Sequence, residues 1–287
     1  MKSKKIVIEE FNSAIEDELI KSSPKILYKY RDWGNQFHKD LLLNNKLWLA
    51  HPKYLNDPYD IRLPLVFNKL EIESDVFKEK LRKSMASLFP GLSLNESYLN
   101  AICNQRMMEL KENGCDEFDK TNQKLREGNF YDCFGVFSLS KNSLDEMMWA
   151  HYGNLNKGIC IGFDLVKLYK GLYLSFGPVE YGSSPLRYSF LENGEEFMFD
   201  YSFYKNSKWA YEEECRFVTP EIQSDEDRLI SYNIEAVSEV ILGFDISETH
   251  KSEIIKVLQE KYYSEVALYQ IKQKHNSYGY EKAVIQY

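Results

Sequence analysis

Residues 205–218 read KNSKWAYEEECRFV, and the rest of the chain is organised around how this stretch is read. A tryptophan, a tyrosine, three consecutive glutamates, a cysteine and an arginine crowd into a few positions. At a strand period of two, Glu212, Glu214 and Arg216 project to one face, and Tyr211, Glu213, Cys215 and Phe217 to the other. Two carboxylates and a guanidinium are a poor filling for a core. They suit the wall of a polar cleft, where Arg216 holds one carboxylate and leaves the other to act. The plainer alternative is a solvated strand face with an internal ion pair, because exposed charge runs are the norm.

Outward from this stretch, strand and helix patterns alternate. Residues 25–31 (KILYKYR) read as a short strand and residues 32–45 as a helix, with Phe37, Leu41 and Leu42 at helical spacing. Residues 46–50 (KLWLA) form a second strand. A turn-rich segment, YLNDPYD at 54–60, follows. From about 70 to 127 charged and long side chains dominate. Phe77, Leu81, Met85 and Leu88 mark one amphipathic helix, and further helices are expected over 96–113 and 117–127. Strands resume at 130–140 (FYDCFGVFSLS) and 158–163 (GICIGF), with a short helix at 145–152 between them. Further strands are expected within 172–181, 201–218 and 227–233, and at 236–244, 266–272 and 282–286, with a helix over 247–261. A leader with a helix over 9–21 precedes all of these. The expectation is α+β: one domain over 1–287, with a mixed or antiparallel β core and a helical insert at about 70–127.

Composition narrows the function classes. At 287 residues with 44% hydrophobic content, the chain has enough apolar material for a sizeable core without disulfides. A net charge of −8 argues against a broad electrostatic grip on nucleic acid or an anionic membrane. Cys103, Cys115, Cys133, Cys160 and Cys215 are scattered with no C-x-x-C pair, as for unpaired thiols in a reducing compartment. No H-x-x-x-H spacing occurs, so no structural metal is expected. Without a long apolar run, the expectation is a soluble, cytoplasmic protein with no membrane span.

Four polar-aromatic clusters carry the candidate chemistry: residues 28–31 (YKYR), residues 54–60, Ser138 and Ser140 followed by MWAHYG at 148–153 and GICIGFD, and the opening stretch. Each has a plain structural alternative. Asn56-Asp57-Pro58 is a common turn. Trp149 and Tyr152, three apart, share a helix face and read as core. His151 alone reads as a polar-edge residue. Ser138 lacks a nucleophile-elbow G-x-S-x-G.

Taken in order, L-Y-K-Y-R, L-N-D-P-Y-D, F-S-L-S, M-W-A-H-Y-G and W-A-Y-E-E-E-C-R-F are similar to bacterial domain-of-unknown-function family 2971, over most of residues 25–245. More distantly, the order of clusters resembles the ADP-ribosyltransferase superfamily. Those enzymes carry an early-strand arginine or histidine, a middle serine or tyrosine segment, and a late-strand glutamate, often as E-x-E. This chain has S-L-S in place of the full S-T-S triplet.

The resemblance implies a split-sheet fold and an enzyme that cleaves the nicotinamide–ribose bond of NAD⁺ and passes ADP-ribose to a macromolecular acceptor, protein or nucleic acid. It also implies a setting in bacterial phage defence or toxin action. Glu214 would stabilise the oxocarbenium-like transition state, and Glu212 would orient or deprotonate the acceptor. Arg31, or Tyr30 in its place, takes the early-strand position; an arginine there would brace the pyrophosphate. Ser138 or Ser140 would position amide or ribose. Tyr152 or Trp149 would stack on nicotinamide, and Arg216 would complete the cofactor-binding set. Two alternatives stay open. One is a metal-dependent nuclease or hydrolase using Asp57, Asp60, Glu212, Glu214 and Lys208. The other is a non-catalytic sensor or partner-binding module of a defence system, in which the glutamates are structural partners of Arg31 or Arg216. The acceptor and the oligomeric state are left open.

Overall fold

The computed structural model describes residues 23–61, 66–67, 73–87, 95–113, 132–172, 174–188, 200–263 and 265–287. The leader helix expected over 9–21 and the helix expected over 117–127 lie outside the described residues. In chain order the elements begin β1 (Ile26–Arg31), α1 (Gln36–Leu43), β2 (Lys46–Trp48), β3 (Val66–Phe67), α2 (Asp75–Ser87), α3 (Glu96–Asn113) and β4 (Gly135–Ser140). They continue with α4 (Glu146–His151), β5 (Ile159–Asp164), α5 (Leu165–Leu172), β6 (Ser175–Pro178), β7 (Glu180–Gly182), β8 (Arg187–Tyr188) and β9 (Tyr204–Asn206). The last are β10 (Glu214–Thr219), β11 (Leu229–Ser231), β12 (Val237–Leu242), α6 (Glu248–Lys261), β13 (Ala267–Gln273) and β14 (Tyr280–Val284). A large mixed sheet with several helices makes the fold α+β, as the alternation of patterns leads one to expect.

The chain groups into two compact units: residues 1–50, 135–179 and 209–287 form the first, and residues 51–134 and 180–208 the second. The first unit is built on an eight-stranded sheet in the order β14-β13-β12-β5-β1-β4-β10-β6. Neighbouring strands run antiparallel except β12 and β13, which are parallel and joined through α6. Strand β1 sits near the middle, against β5 along its whole length and against β4 at Tyr28↔Ser140.

Strand alternation sorts the side chains of this sheet into two faces. On one face Leu27, Phe137, Leu139, Ile159, Ile161 and Phe217 are buried with Leu41 and Leu42 of α1, Leu165 and Leu168 of α5, and Ile254 and Leu258 of α6. Each fully buried side chain of this kind contributes about 1.5–3 kcal/mol, so three helices are fastened here. Asn35 caps α1 by accepting from the Phe37 N–H, and Ser247 caps α6 by accepting from the His250 N–H. The other face carries Tyr30, Cys160, Ile241 and Ile271, packed with Met148 and Trp149 of α4. On that face Gly162 of β5 leaves space for its neighbours to meet. A Cβ there would lie 2.7 Å from Glu239 Cγ and 3.1 Å from Tyr28 Cε1. Lys282 of β14 reaches across to Glu239 at 2.5 Å.

Several segments differ from the sequence reading, among them the short strands β3 and β8, which it does not include. Residues 165–172 form α5, with Leu165, Leu168 and Leu172 buried at helical spacing; this helix was not expected. The strand expected through 201–218 is interrupted. β9 is followed by a 3-10 turn at Ser207–Glu212, and β10 starts only at Glu214. The break falls at Glu213, whose φ of 44° is left-handed. Three contacts hold it: its N–H donates to Ala210 O (3.2 Å), its carbonyl accepts from Lys141 N (3.0 Å), and its carboxylate accepts from Asn142 Nδ2 (3.3 Å).

In the second unit α2 packs on α3, and short parallel pairs join β3 to β8 and β7 to β9. Phe77, Leu99, Cys103 and Leu110 are buried there, as is an ion pair between Lys205 and Asp60 at 3.5 Å.

Candidate functional site

The site is assembled from the exit of α4 and the 3-10 turn before β10. Asp145 caps α4 by accepting from the Met148 N–H at 2.8 Å, and Met148 and Trp149 bury its inner side. The helix therefore ends with His151 and Tyr152 directed toward the turn. There the contacts run in step. His151 Nδ1 lies 3.1 Å from the Tyr211 hydroxyl, and the Tyr152 hydroxyl donates to Glu212 Oε1 at 2.6 Å. Glu212 is only 4% exposed, while Tyr152 and Tyr211 are half-buried and His151 is exposed. Burial pushes the Tyr152 phenol well above the usual range, and the Glu212 charge adds to the effect. The hydroxyl thus stays a donor throughout the ordinary pH range.

Glu214 and Arg216 point to the same sheet face as Tyr28, Ser138 and Ser140. Glu214 stands opposite Ser140, and Arg216 opposite Ser138. Arg216 is wholly buried and grips Glu214 with two bonds, Nε to Oε1 at 2.6 Å and Nη2 to Oε2 at 3.0 Å. The expectation that these charges line an open cleft is therefore corrected. The pair lies inside the protein, where a planar guanidinium matched to a carboxylate makes burial tolerable. Glu212 does not continue the strand face, because the turn at Glu213 intervenes.

The other expected site residues are placed as follows. Ser140 is committed to a turn, its hydroxyl donating to Asn142 O and accepting from Asn142 N, both at 3.1 Å. The Tyr30 hydroxyl donates to the same carbonyl at 2.7 Å. Ser138 is half-buried, and its carbonyl accepts from Lys29 Nζ at 2.5 Å. Trp149 is fully buried, donates to Ser143 O at 2.9 Å and meets Tyr30 edge-on, so stacking on a ligand is closed to it.

Arg31 is not brought to this site. It pairs with Ile159, whose side chain belongs to the helix-covered core, so by alternation it faces away from Glu214. Clefts with defined linings occur elsewhere. One of about 470 Å³ in the first unit is lined by residues such as Ser23, Lys25 and Asp164, and one of about 290 Å³ in the second by residues such as Tyr59, Gly182 and Tyr204. Neither is lined by Tyr152, Glu212 or Glu214.

Two participants escape the sequence reading: the His151–Tyr211 pair and Asn142, which gathers Tyr30, Ser140 and Glu213. Asn142 had a signal, since it accepts from Leu144 N–H two residues on, an Asx turn directly after a strand. The pairing of His151-Tyr152 with Tyr211-Glu212 had none in a single sequence.

The first unit is thus a mixed-sheet α+β body with a tyrosine-held carboxylate beside a buried arginine–glutamate pair. A family model described as a protein of unknown function (DUF2971) matches residues 148–217. The matched stretch takes in Trp149, Tyr152, Tyr211, Glu212, Glu214 and Arg216, while residues 28–31, 54–60 and Ser138–Ser140 fall outside it. No curated protein and no solved structure matches the chain. The likeness to ADP-ribosyltransferases rests on the order of the motifs alone.

Proposed function

We propose that the first unit carries an ADP-ribosyltransferase-like activity in which Glu212 is the working carboxylate. The observation that supports this reading is the Tyr152–Glu212 contact, a nearly buried carboxylate fixed by a hydroxyl that stays protonated. In the reaction the C1′–N bond of NAD⁺ breaks and its electron pair leaves with nicotinamide. An acceptor oxygen or nitrogen attacks C1′, and the acceptor's proton passes to Glu212. A carboxylate placed near the cationic sugar stabilises the transition state more than the ground state. Glu214, held by Arg216, keeps β10 and the preceding turn in place and is a positioning residue. Ser138 supplies a hydroxyl toward ribose or amide, and Tyr152 aligns Glu212. The acceptor in this proposal is a macromolecule, and the proposed setting is bacterial defence or toxicity.

A second reading is favoured by the closed Glu214–Arg216 pair: a non-catalytic partner-binding module. The metal-dependent reading is less well supported. Among the described residues no group of three or more His, Cys, Asp or Glu side chains is arranged to hold a metal ion.

The deciding experiment incubates the purified protein with NAD⁺ in EDTA, with and without cell lysate as a source of acceptor, and measures nicotinamide release. Release by the wild type, reduced on the order of 10² to 10⁴ in Glu212→Gln, supports the enzyme. No release in either arm overturns it in favour of the binding module.

A further inference from the structure

The turn-rich segment 54–60 has no part in the site above. It belongs to the second unit, where Tyr59 lines the cavity of about 290 Å³. The other walls come from the last residues of the parallel strands β7 and β9, with Gly182 opposite Asn206, and from Ser183 and Ser184 directly after β7.

These walls are built and fixed. The Tyr204 hydroxyl donates to Ser184 O at 2.6 Å, and it crosses β7 where a Cβ on Gly182 would lie 1.5 Å from its oxygen. Tyr59 offers a second ring, 56% exposed. Asn206 shares a strand face with Tyr204. Its Oδ1 accepts from Lys208 N at 3.0 Å, which sets the orientation of the amide. Its Nδ2 is left as a donor with no partner among the described residues. The backbone beside Tyr59 is strained: Ile61, β-branched and fully buried, has a φ of 55°. Strain of this kind gathers where ligands are held.

Charge and size narrow the ligand. Lys205 is the one charged side chain among the described residues that line the cavity. It is 3% exposed and stands 3.5 Å from Asp60 Oδ2, so its charge is already compensated inside the protein. A charged ligand would enter without a counter-ion, and a neutral one avoids that cost. A volume of about 290 Å³ lies at the lower end of small-ligand sites, room for one ring system and its sugar and too little for a dinucleotide.

We propose that the second unit binds a nucleoside in this cavity, its planar base against Tyr59 and Tyr204 and an acceptor on the base edge taking the Asn206 amide proton. Ser183 and Ser184 meet the sugar hydroxyls. Aromatic rings receive any base, and the fixed amide selects for an acceptor at one position on its edge. This inference does not rest on the NAD⁺ reading, since it concerns other residues in the other unit.

Isothermal titration calorimetry of the full chain with uridine, cytidine, adenosine, guanosine and benzoate tests it. At least one nucleoside is expected to saturate at one site per chain, with benzoate, a planar anion, without effect. The 5′-monophosphate of that nucleoside separates two sources: equal binding widens the ligand to nucleotides, and loss of binding confines it to the free nucleoside. Tyr59 is exposed, so Tyr59→Ala leaves the fold intact and is expected to weaken binding by about tenfold or more, while Tyr59→Phe keeps the ring and the affinity. Asn206→Asp keeps the acceptor for Lys208 N and removes the donor, and is expected to weaken binding by about tenfold or more. No saturation by any nucleoside, benzoate binding as tightly as the best of them, or unchanged affinity in Tyr59→Ala or Asn206→Asp overturns the proposal.

Discussion

Arg216 grips Glu214 from two positions along the same strand, and neither side chain is more than 4% exposed. An E-x-R on a strand ordinarily faces water. Here the pair is interior, which makes it a structural commitment and moves the proposed chemistry to Glu212.

Removing one partner leaves a buried charge uncompensated. Glu214→Ala is expected to cost about 3–5 kcal/mol, and the double change Glu214→Leu with Arg216→Met to recover most of that loss. Urea denaturation of the three proteins measures this. A Glu214→Ala variant as stable as the wild type would show that the ion pair does not hold β10.

Tyr152→Phe deletes the donor at Glu212 Oε1 without changing the ring. Its expected effect on nicotinamide release is a fall in kcat of roughly tenfold to a hundredfold with KM little changed, as for a carboxylate that loses its alignment. Steady-state kinetics separates the two parameters. A rise in KM alone would assign Tyr152 to binding.

Burial raises the phenols of Tyr30, Tyr152 and Tyr232, and that of Tyr262 to about 12. Below the unfolded value of about 10 these groups are protonated in both states, and their contribution to stability is intact. Above it the unfolded chain ionises while the native one does not, so stability falls as pH rises toward 12, by up to about 1.4 kcal/mol per unit for each phenol. Phenolate absorbance and far-UV circular dichroism, followed together, are expected to show these phenols ionising only as the fold is lost. Ionisation near pH 10 with the fold intact would refute the assignment.

Gly158 and Gly171 make a matched pair. A Cβ on Gly158 would lie 2.3 Å from Arg31 O and 2.9 Å from Gly153 O, both main-chain atoms that cannot rotate aside. A Cβ on Gly171, within α5, meets nothing nearer than 3.4 Å. Gly158→Ala is expected to destabilise by about 1–3 kcal/mol or more. Gly171→Ala is expected to stabilise by about 0.5–1 kcal/mol, the helical preference for alanine. Thermal melts of the two variants should move in opposite directions.

Much of the architecture was legible because apolar spacing carries it. β1, β5 and β12 were visible as short apolar runs, and α3 over 96–113 as a helix. The face on which Arg31 lies was also readable, since it shares strand parity with Leu27. The interruption at Glu213 was not, because three adjacent glutamates have no intrinsic reason to turn. The left-handed backbone is held by Lys141 and Asn142, far away in sequence. Burial of Arg216 was equally hidden, since residue type tells of charge and not of depth. The Tyr152–Glu212 contact joins residues 60 positions apart, and only the meeting of a helix end with a turn creates it.

The central place of β1 in the sheet also bears on synthesis. This strand is the first of the described ones to leave the ribosome, yet the Lys29–Ser138 contact that ties it to β4 spans 109 residues, and β5 emerges later still. At about 5–20 residues per second, Leu27 and Tyr30 wait roughly 5–20 seconds for a strand partner on either side, although α1 reaches Leu27 sooner. The nascent chain therefore carries β1 with no strand paired to it through most of the first half of translation. During that interval the unpaired edges of β1 are open to wrong pairing, a hazard that the finished sheet no longer carries.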